Sequence, residues 1–235
     1  MNIVDYVIIG IIAISVIYGL YRGFLASMLS TGACAVSFVG SFLLYPRLAA
    51  LVSGNSDLLR TLLHYTDASS RLGDLTTSVM NVATLTAEKI SEIVSMADLP
   101  APFDTLLQVN LSQKVFASSG LTTVSDYVSQ TILNACVNIL CYLVCFIGLY
   151  LVLTIVLTVV RSVFRLPVLK QLDALAGGAL GLLRGLLFVY AVFAVVPLIL
   201  TMLPIDIVTD VMNESTLAPI FNGSNLILSI MNGRL

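Results

Sequence analysis

The chain has 235 residues, of which 58% are hydrophobic and 10% are charged, with a net charge of −2 and a mean hydropathy of +1.03. Soluble domains carry about 25% charged residues, so this composition indicates a membrane protein. The charge balance offers no basic surface for phosphates, which excludes a nucleic-acid partner.

The sequence predicts an all-α membrane protein with four transmembrane helices, each near the length of about 20 residues that crosses a bilayer. Pro46 should end the second span and Pro204 the fourth, because proline interrupts helix hydrogen bonding. The first residues lack the positive region of a signal peptide, so the first span should remain as an anchor. The approximate spans are 6–20, 24–45, 132–160 and 176–203.

Residues 46–130 form a long segment between the second and third spans. Apolar residues from Leu72 to Ala97 follow helical spacing, with a slip around Thr86, which predicts an amphipathic helix. The run Leu99–Pro102 should end that helix. Thr123 and Asp126 match a capping box, and a helix from there to Phe164 would have about 40 residues and a length of roughly 60 Å.

These elements divide the chain into four parts. We expect a first transmembrane hairpin at 1–45, an external helical segment at 46–130, a second transmembrane hairpin at 131–203 with an interfacial connection at 161–175, and an interfacial tail at 204–235.

Each span carries a stripe of small or polar residues, which favours close helix packing. Asn134 and Asn138 either line a polar pathway or bond to a neighbouring helix, and both hypotheses stay open. The four stripes are Ser15, Gly19 and Gly23; Ser30, Cys34, Ser37 and Ser41; Gln130, Asn134, Asn138, Cys141, Cys145 and Gly148; and Gly177, Gly181 and Gly185.

A six-residue motif occurs twice, at Gly19–Phe24 and Gly181–Leu186, and each copy places an arginine between two glycines four apart. An arginine in lipid is costly, so Arg184 should snorkel or find a partner on another helix. We expect Arg22 to pair with Asp173, because both should lie at the same membrane face.

The sequence contains no nucleophile–base pair, phosphate loop or metal-ligand spacing. Its four cysteines lie inside apolar runs, and it has one histidine. We therefore expect no enzyme activity, no catalytic or metal-binding residues and no cofactor.

The motifs resemble the colicin V production (CvpA) family of bacterial inner-membrane proteins, over roughly residues 1–45 and 131–203. Two departures are Leu25–Ser27, where members often carry an Arg-Glu pair, and Ala174, where arginine often follows the aspartate. The matching positions include Val4–Gly10 with Asp5, then Gly19, Arg22, Gly23, Phe24, Leu29 and Ser30, then Leu166, Pro167, Leu172, Asp173, Gly177, Gly181, Arg184 and Gly185, and more loosely Glu214–Pro219.

The resemblance implies a role in colicin V-type toxin production or secretion and in envelope homeostasis, in the bacterial inner membrane. We expect it to act by binding an envelope or secretion protein. The alternatives are a small channel or transporter that uses Asn134, Asn138 and the two arginine motifs, and a weaker reading as a sensor with a ligand-binding external segment. A homo-oligomer stays open.

Basic residues concentrate in the short connections, at Arg22 and at Arg161, Arg165 and Lys170. Segment 46–130 has five basic against eight acidic residues. Short loops rich in Lys and Arg stay cytoplasmic, so both termini and 46–130 should be external.

Single cysteines at Ser70 and Ser162, in a background without the native cysteines, test this topology. An impermeant thiol reagent on intact cells should label Ser70→Cys and spare Ser162→Cys, because 46–130 is external and 161–175 internal. The reverse labelling pattern would overturn the assignment.

Overall fold

The computed structural model describes residues 2–54, 59, 61, 75–163, 170–202, 211–212, 214–222 and 225–232. Within these residues the regular structure is helical, with one isolated antiparallel bridge between Asn81 and Thr123. The α-helices are α1 (Ile3–Arg22), α2 (Phe24–Ser53), α3 (Leu75–Ser78), α4 (Ala87–Ala97), α5 (Phe103–Gln113), α6 (Val124–Val163), α7 (Lys170–Phe193), α8 (Val196–Met202), α9 (Ala218–Asn222) and α10 (Asn225–Asn232).

Four stretches of the described chain are long and apolar enough to cross a membrane. They are Ile3–Arg22, Phe24–Ser53, Val124–Val159 and Asp173–Thr201. The predicted all-α membrane fold with four spans is therefore confirmed. Many of their apolar side chains are exposed in the structure, as expected of side chains that face lipid. The helices satisfy their own backbone hydrogen-bonding groups, which a bilayer requires.

Pro46 lies inside α2, so the prediction that it ends the second span is wrong. Proline cannot donate to the carbonyl of Phe42 one turn earlier, but membrane helices tolerate this loss where packing continues. Phe42, Tyr45 and Ala49 are all buried on either side of the proline. Packing on both sides of Pro46 thus offsets the missing hydrogen bond.

The fourth span is two helices rather than the single one predicted, since α7 ends at Phe193 and α8 begins at Val196. Pro197 accounts for the break, because it has no N–H to donate to the carbonyl of Phe193 and its ring crowds that group. Pro204, which the prediction used as the end, lies outside the described residues.

The capping box at the start of α6 is confirmed. The Asp126 N–H donates to Thr123 Oγ1 at 3.2 Å, and the Thr123 N–H donates to Asp126 Oδ2 at 3.4 Å. The helix that follows has 40 residues, as predicted, and is longer than a bilayer crossing needs. Its predicted last residue, Phe164, lies outside the described part of the chain.

The amphipathic helix predicted before Leu99 is interrupted rather than continuous. The described part consists of α3, a short 3-10 turn at Val82–Thr84, and α4. Thr86 caps α4 by accepting a hydrogen bond from the Lys89 N–H at 3.4 Å. The slip in spacing at Thr86 is therefore the start of a new helix, while Leu72 lies outside the described residues.

The chain divides into two compact units, and the first contains described residues within 1–45, 141–194 and 207–221. Its core holds an aromatic cluster from α2, α6 and α7, in which most ring pairs meet edge to face. The Phe42 and Tyr142 centroids are 5.0 Å apart, and those of Tyr150 and Phe188 are 5.2 Å apart. Directed ring contacts position helices in lipid, where burial alone provides little attraction.

The second unit contains described residues within 46–140, 195–206 and 222–235. The Val82 N–H donates to the Thr122 carbonyl at 2.9 Å, and the Val124 N–H donates to the Met80 carbonyl at 3.0 Å. These two bonds hold the start of α6 against the segment before α4. The fully buried side chains of this unit include Ile93, Phe103, Leu107, Leu111, Tyr127, Ile132 and Ile230.

Candidate functional site

The two copies of the repeated motif meet in the first unit, along a glycine seam formed by Gly19 of α1 and Gly177, Gly181 and Gly185 of α7. A Cβ atom on Gly19 would lie 2.2 Å from the Gly177 carbonyl oxygen, and one on Gly181 would lie 2.4 Å from the Ser15 carbonyl oxygen. No side chain fits at such distances. The ridge predicted for α7 is present, and it lies directly on the backbone of α1.

Arg184 lies between Gly181 and Gly185 on α7 and is buried, with 5% of its surface exposed. Its Nε donates to Ser15 Oγ at 3.1 Å, and its Nη2 donates to the Ser15 carbonyl at 3.2 Å. Its Nη1 donates to Ser30 Oγ on α2 at 3.0 Å. The Tyr18 ring centroid lies 4.8 Å from Cζ. Arg184 thus has partners on two other helices. Of the two predicted alternatives, snorkelling or a partner on another helix, the structure shows the second.

Among the described residues, the partners of Arg184 are hydroxyl and carbonyl oxygens together with an aromatic face, and none is a carboxylate. Each partner stabilises part of the positive charge of the guanidinium group. The Ser15 hydroxyl also donates to the Gly181 carbonyl at 2.7 Å, so it links α1 to α7. This geometry fixes the rotation of α7 against α1 and α2.

Arg22 occupies the matching position in the first motif but has a different environment. Its side chain is exposed, and its Cζ lies 4.5 Å from the same Tyr18 ring. The next residue, Gly23, has a φ of +79°, a value that L side chains rarely adopt. The glycine permits the tight reversal from α1 into α2.

The predicted pairing of Arg22 with Asp173 is wrong. Asp173 Oδ1 instead accepts a hydrogen bond from the Phe24 N–H at 2.7 Å, and the ion pair among the described residues is Lys89–Glu92. The first N–H groups of a helix lack partners within it and carry partial positive charge, so they attract a carboxylate. Asp173 therefore caps α2 and secures the turn at Gly23.

Asp5 is fully buried and holds the C-terminal region to the start of α1. Its Oδ1 accepts from the Ser215 hydroxyl at 2.6 Å and from the Leu217 N–H at 2.9 Å. Its Oδ2 accepts from the Asn2 N–H at 2.8 Å. The sequence marked Asp5 as a motif residue, but no local pattern pointed to a partner 210 positions away.

Asn134 and Asn138 lie in the second unit and line a cavity of about 330 Å³. Gln130 Nε2 donates to Asn134 Oδ1 at 2.8 Å, and Asn138 Nδ2 donates to the Met231 carbonyl of α10 at 3.0 Å. Asn138 therefore bonds to a neighbouring helix, as one hypothesis states, whereas the polar pathway stays a prediction. Sequence reasoning missed two further amides in the lining, Asn110 and Asn232.

These features define a multi-pass helical membrane protein whose helices are positioned by glycine contacts, a buried arginine and carboxylate caps. The family described as "Colicin V production protein" matches residues 4–104 and 114–225, and the chain belongs to this family. The resemblance seen in the sequence is therefore confirmed.

The chain is also similar to the "Colicin V production protein homolog" of Haemophilus influenzae (strain ATCC 51907 / DSM 11121 / KW20 / Rd), at 46% identity over 50 residues. That alignment covers 21% of this chain and 31% of the relative. The chain thus spans about a third of the length of this curated relative. No solved structure matches the chain.

Gly181→Leu should lower thermal stability in detergent far more than Leu182→Ala. The first change forces a side chain onto the Ser15 carbonyl, whereas Leu182 is 48% exposed and its loss removes little packing. Overpacking a close contact costs about 1–3 kcal/mol or more. Equal melting temperatures of the two variants would show that the seam does not hold α1 to α7.

Proposed function

We propose that this protein is a non-enzymatic component of the bacterial inner membrane that supports colicin V-type toxin production or secretion, and envelope homeostasis, by binding a partner protein. Membership of the colicin V production family supports the link to toxin production. Partner binding rests on one observation, the exposed turn between α1 and α2.

Tyr21 at this turn is 91% exposed, and Arg22 beside it is also exposed. Tyrosine and arginine are among the residues that most often dominate binding energy at protein interfaces. The turn is held by Gly23 and by the Asp173 cap, so it loses little conformational freedom on binding. A fixed turn with an exposed aromatic ring beside a cation suits a partner with an apolar pocket and an acidic rim.

Tyrosine also anchors helices at the membrane interface, so the partner role needs a matched control. Tyr6 provides one, because it lies near the other end of the same helix and is 64% exposed. If both tyrosines only contact lipid headgroups, replacing either should have the same small effect. If the turn binds a partner, replacing Tyr21 alone should reduce function.

In a deletion strain that carries each variant at equal membrane level, we expect Tyr21→Ala to reduce toxin export and Tyr6→Ala to leave it near the wild-type value. A hot-spot truncation of about 2 kcal/mol weakens binding more than tenfold. A photo-crosslinking amino acid at position 21 should capture a protein, and one at position 6 should not. Equal export by both variants would contradict the proposal.

A second candidate is a small channel or transporter, and the cavity lined by Asn134 and Asn138 favours it. The arginine motifs belong to the other unit, so a pathway through this cavity would depend on the asparagines. Solute or ion flux through purified protein in proteoliposomes, lost in Asn134→Leu and Asn138→Leu, would support this candidate over partner binding.

A further inference from the structure

The cavity in the second unit has the features of a small-molecule site. Its volume of about 330 Å³ lies at the lower end of the usual range for ligand pockets. By the volume of liquid water, it has room for about ten heavy atoms. Its walls come from α2, α5, α6 and α10 and from Val115 and Phe116 after α5.

The described residues of the lining contribute amides and hydroxyls, and none of them is of a charged type. Its polar residues are Ser53, Asn110, Thr131, Asn134, Asn138 and Asn232, and its apolar walls include Pro46, Ala49, Leu106 and Phe116. A charged ligand that entered here would lose part of its water without gaining a counter-ion from the described lining, which costs more than burying a neutral polar group. The cavity therefore suits an uncharged ligand.

The hydrogen bonds among the described residues leave a specific set of groups for a ligand. Asn134 uses its carbonyl oxygen to accept from Gln130, so its two N–H donors remain. Asn138 uses its amide nitrogen to donate to the Met231 carbonyl, so its oxygen remains as an acceptor. The two residues are one helical turn apart on α6 and together present donors beside an acceptor.

A carboxamide carries the complementary set, with one carbonyl acceptor beside N–H donors. We propose that this cavity binds an uncharged small molecule through a carboxamide group held by Asn134 and Asn138. The apolar walls around Leu106 and Phe116 then enclose the rest of the ligand. This site is in the second unit and does not depend on the role proposed for the Tyr21 turn.

Nicotinamide and nicotinate are a matched pair of probes, because they share a ring and differ in carrying an amide or a carboxylate. Titration of the purified full-length protein in nanodiscs, followed by ligand-observed NMR, should show saturable binding of nicotinamide. Nicotinate should bind at least about tenfold more weakly, since the described lining offers its charge no counter-ion. Benzamide, which keeps the amide, should behave like nicotinamide.

The variants Asn134→Leu and Asn138→Leu should each weaken nicotinamide binding at least about tenfold. Gln108→Leu, an exposed amide on α5 outside the cavity, should leave it unchanged. Ala50→Leu fills part of the cavity while keeping both asparagines, so it should also abolish binding. If size-exclusion chromatography shows that the asparagine variants are misfolded, the Ala50→Leu variant still tests whether nicotinamide binds in the cavity.

The proposal would be overturned by the absence of saturable binding of nicotinamide or benzamide at millimolar concentration, by equal binding of nicotinate, or by binding that persists in folded Ala50→Leu. Binding of glycerol or inositol in place of the amides would also contradict it, because those ligands lack the carboxamide.

Discussion

Direct backbone contact between α1 and α7 is the constraint from which the arrangement of the first unit follows. Helices in lipid gain little from apolar burial, so their association depends on close approach and on hydrogen bonds. Glycine at 19, 177 and 181 allows that approach. The approach in turn brings Ser15 to Arg184, so one residue of α1 provides both its side-chain hydroxyl and its main-chain carbonyl to the buried cation.

The repeated motif shows how packing assigns different roles to the same residues. Arg184 is enclosed by three helices, and its charge is distributed over oxygens and the Tyr18 face. Arg22 is exposed at a turn, and the Tyr18 ring is the contact that it has in common with Arg184. The second copy therefore stabilises the packing of α1, α2 and α7, whereas the first leaves its arginine at the surface.

The sequence predicted those features that depend on neighbours a few residues apart. Hydropathy located four spans, glycine spacing located the seam on α7, and the Thr123 capping box located the start of α6. It mistook Pro46 for a helix end, because the packing that compensates for a proline comes from distant parts of the chain.

Hydrogen-bond partners that are far apart in the chain could not be predicted from the sequence either. Asp173 resembled a counter-ion for Arg22, but the first N–H of α2 lies closer and has no partner within its helix. Asp5 and Ser215 are distant in sequence, and only the fold brings them together. Asn110 gave no signal as a cavity residue, because a single asparagine on a short helix is usually a solvated side chain.

A double-mutant cycle on Ser15 and Arg184 tests whether the glycine seam brings α1 into contact with the buried arginine. The free energies of unfolding of Ser15→Ala, Arg184→Gln and the double variant would be measured in detergent micelles, and a control cycle would replace Ser15→Ala by Ser112→Ala, an exposed serine of the other unit. Contact predicts a coupling of about 0.5–3 kcal/mol for Ser15 and additivity for Ser112. Additive effects of Ser15→Ala and Arg184→Gln would contradict the claim that the glycine seam places Ser15 of α1 in contact with the buried arginine.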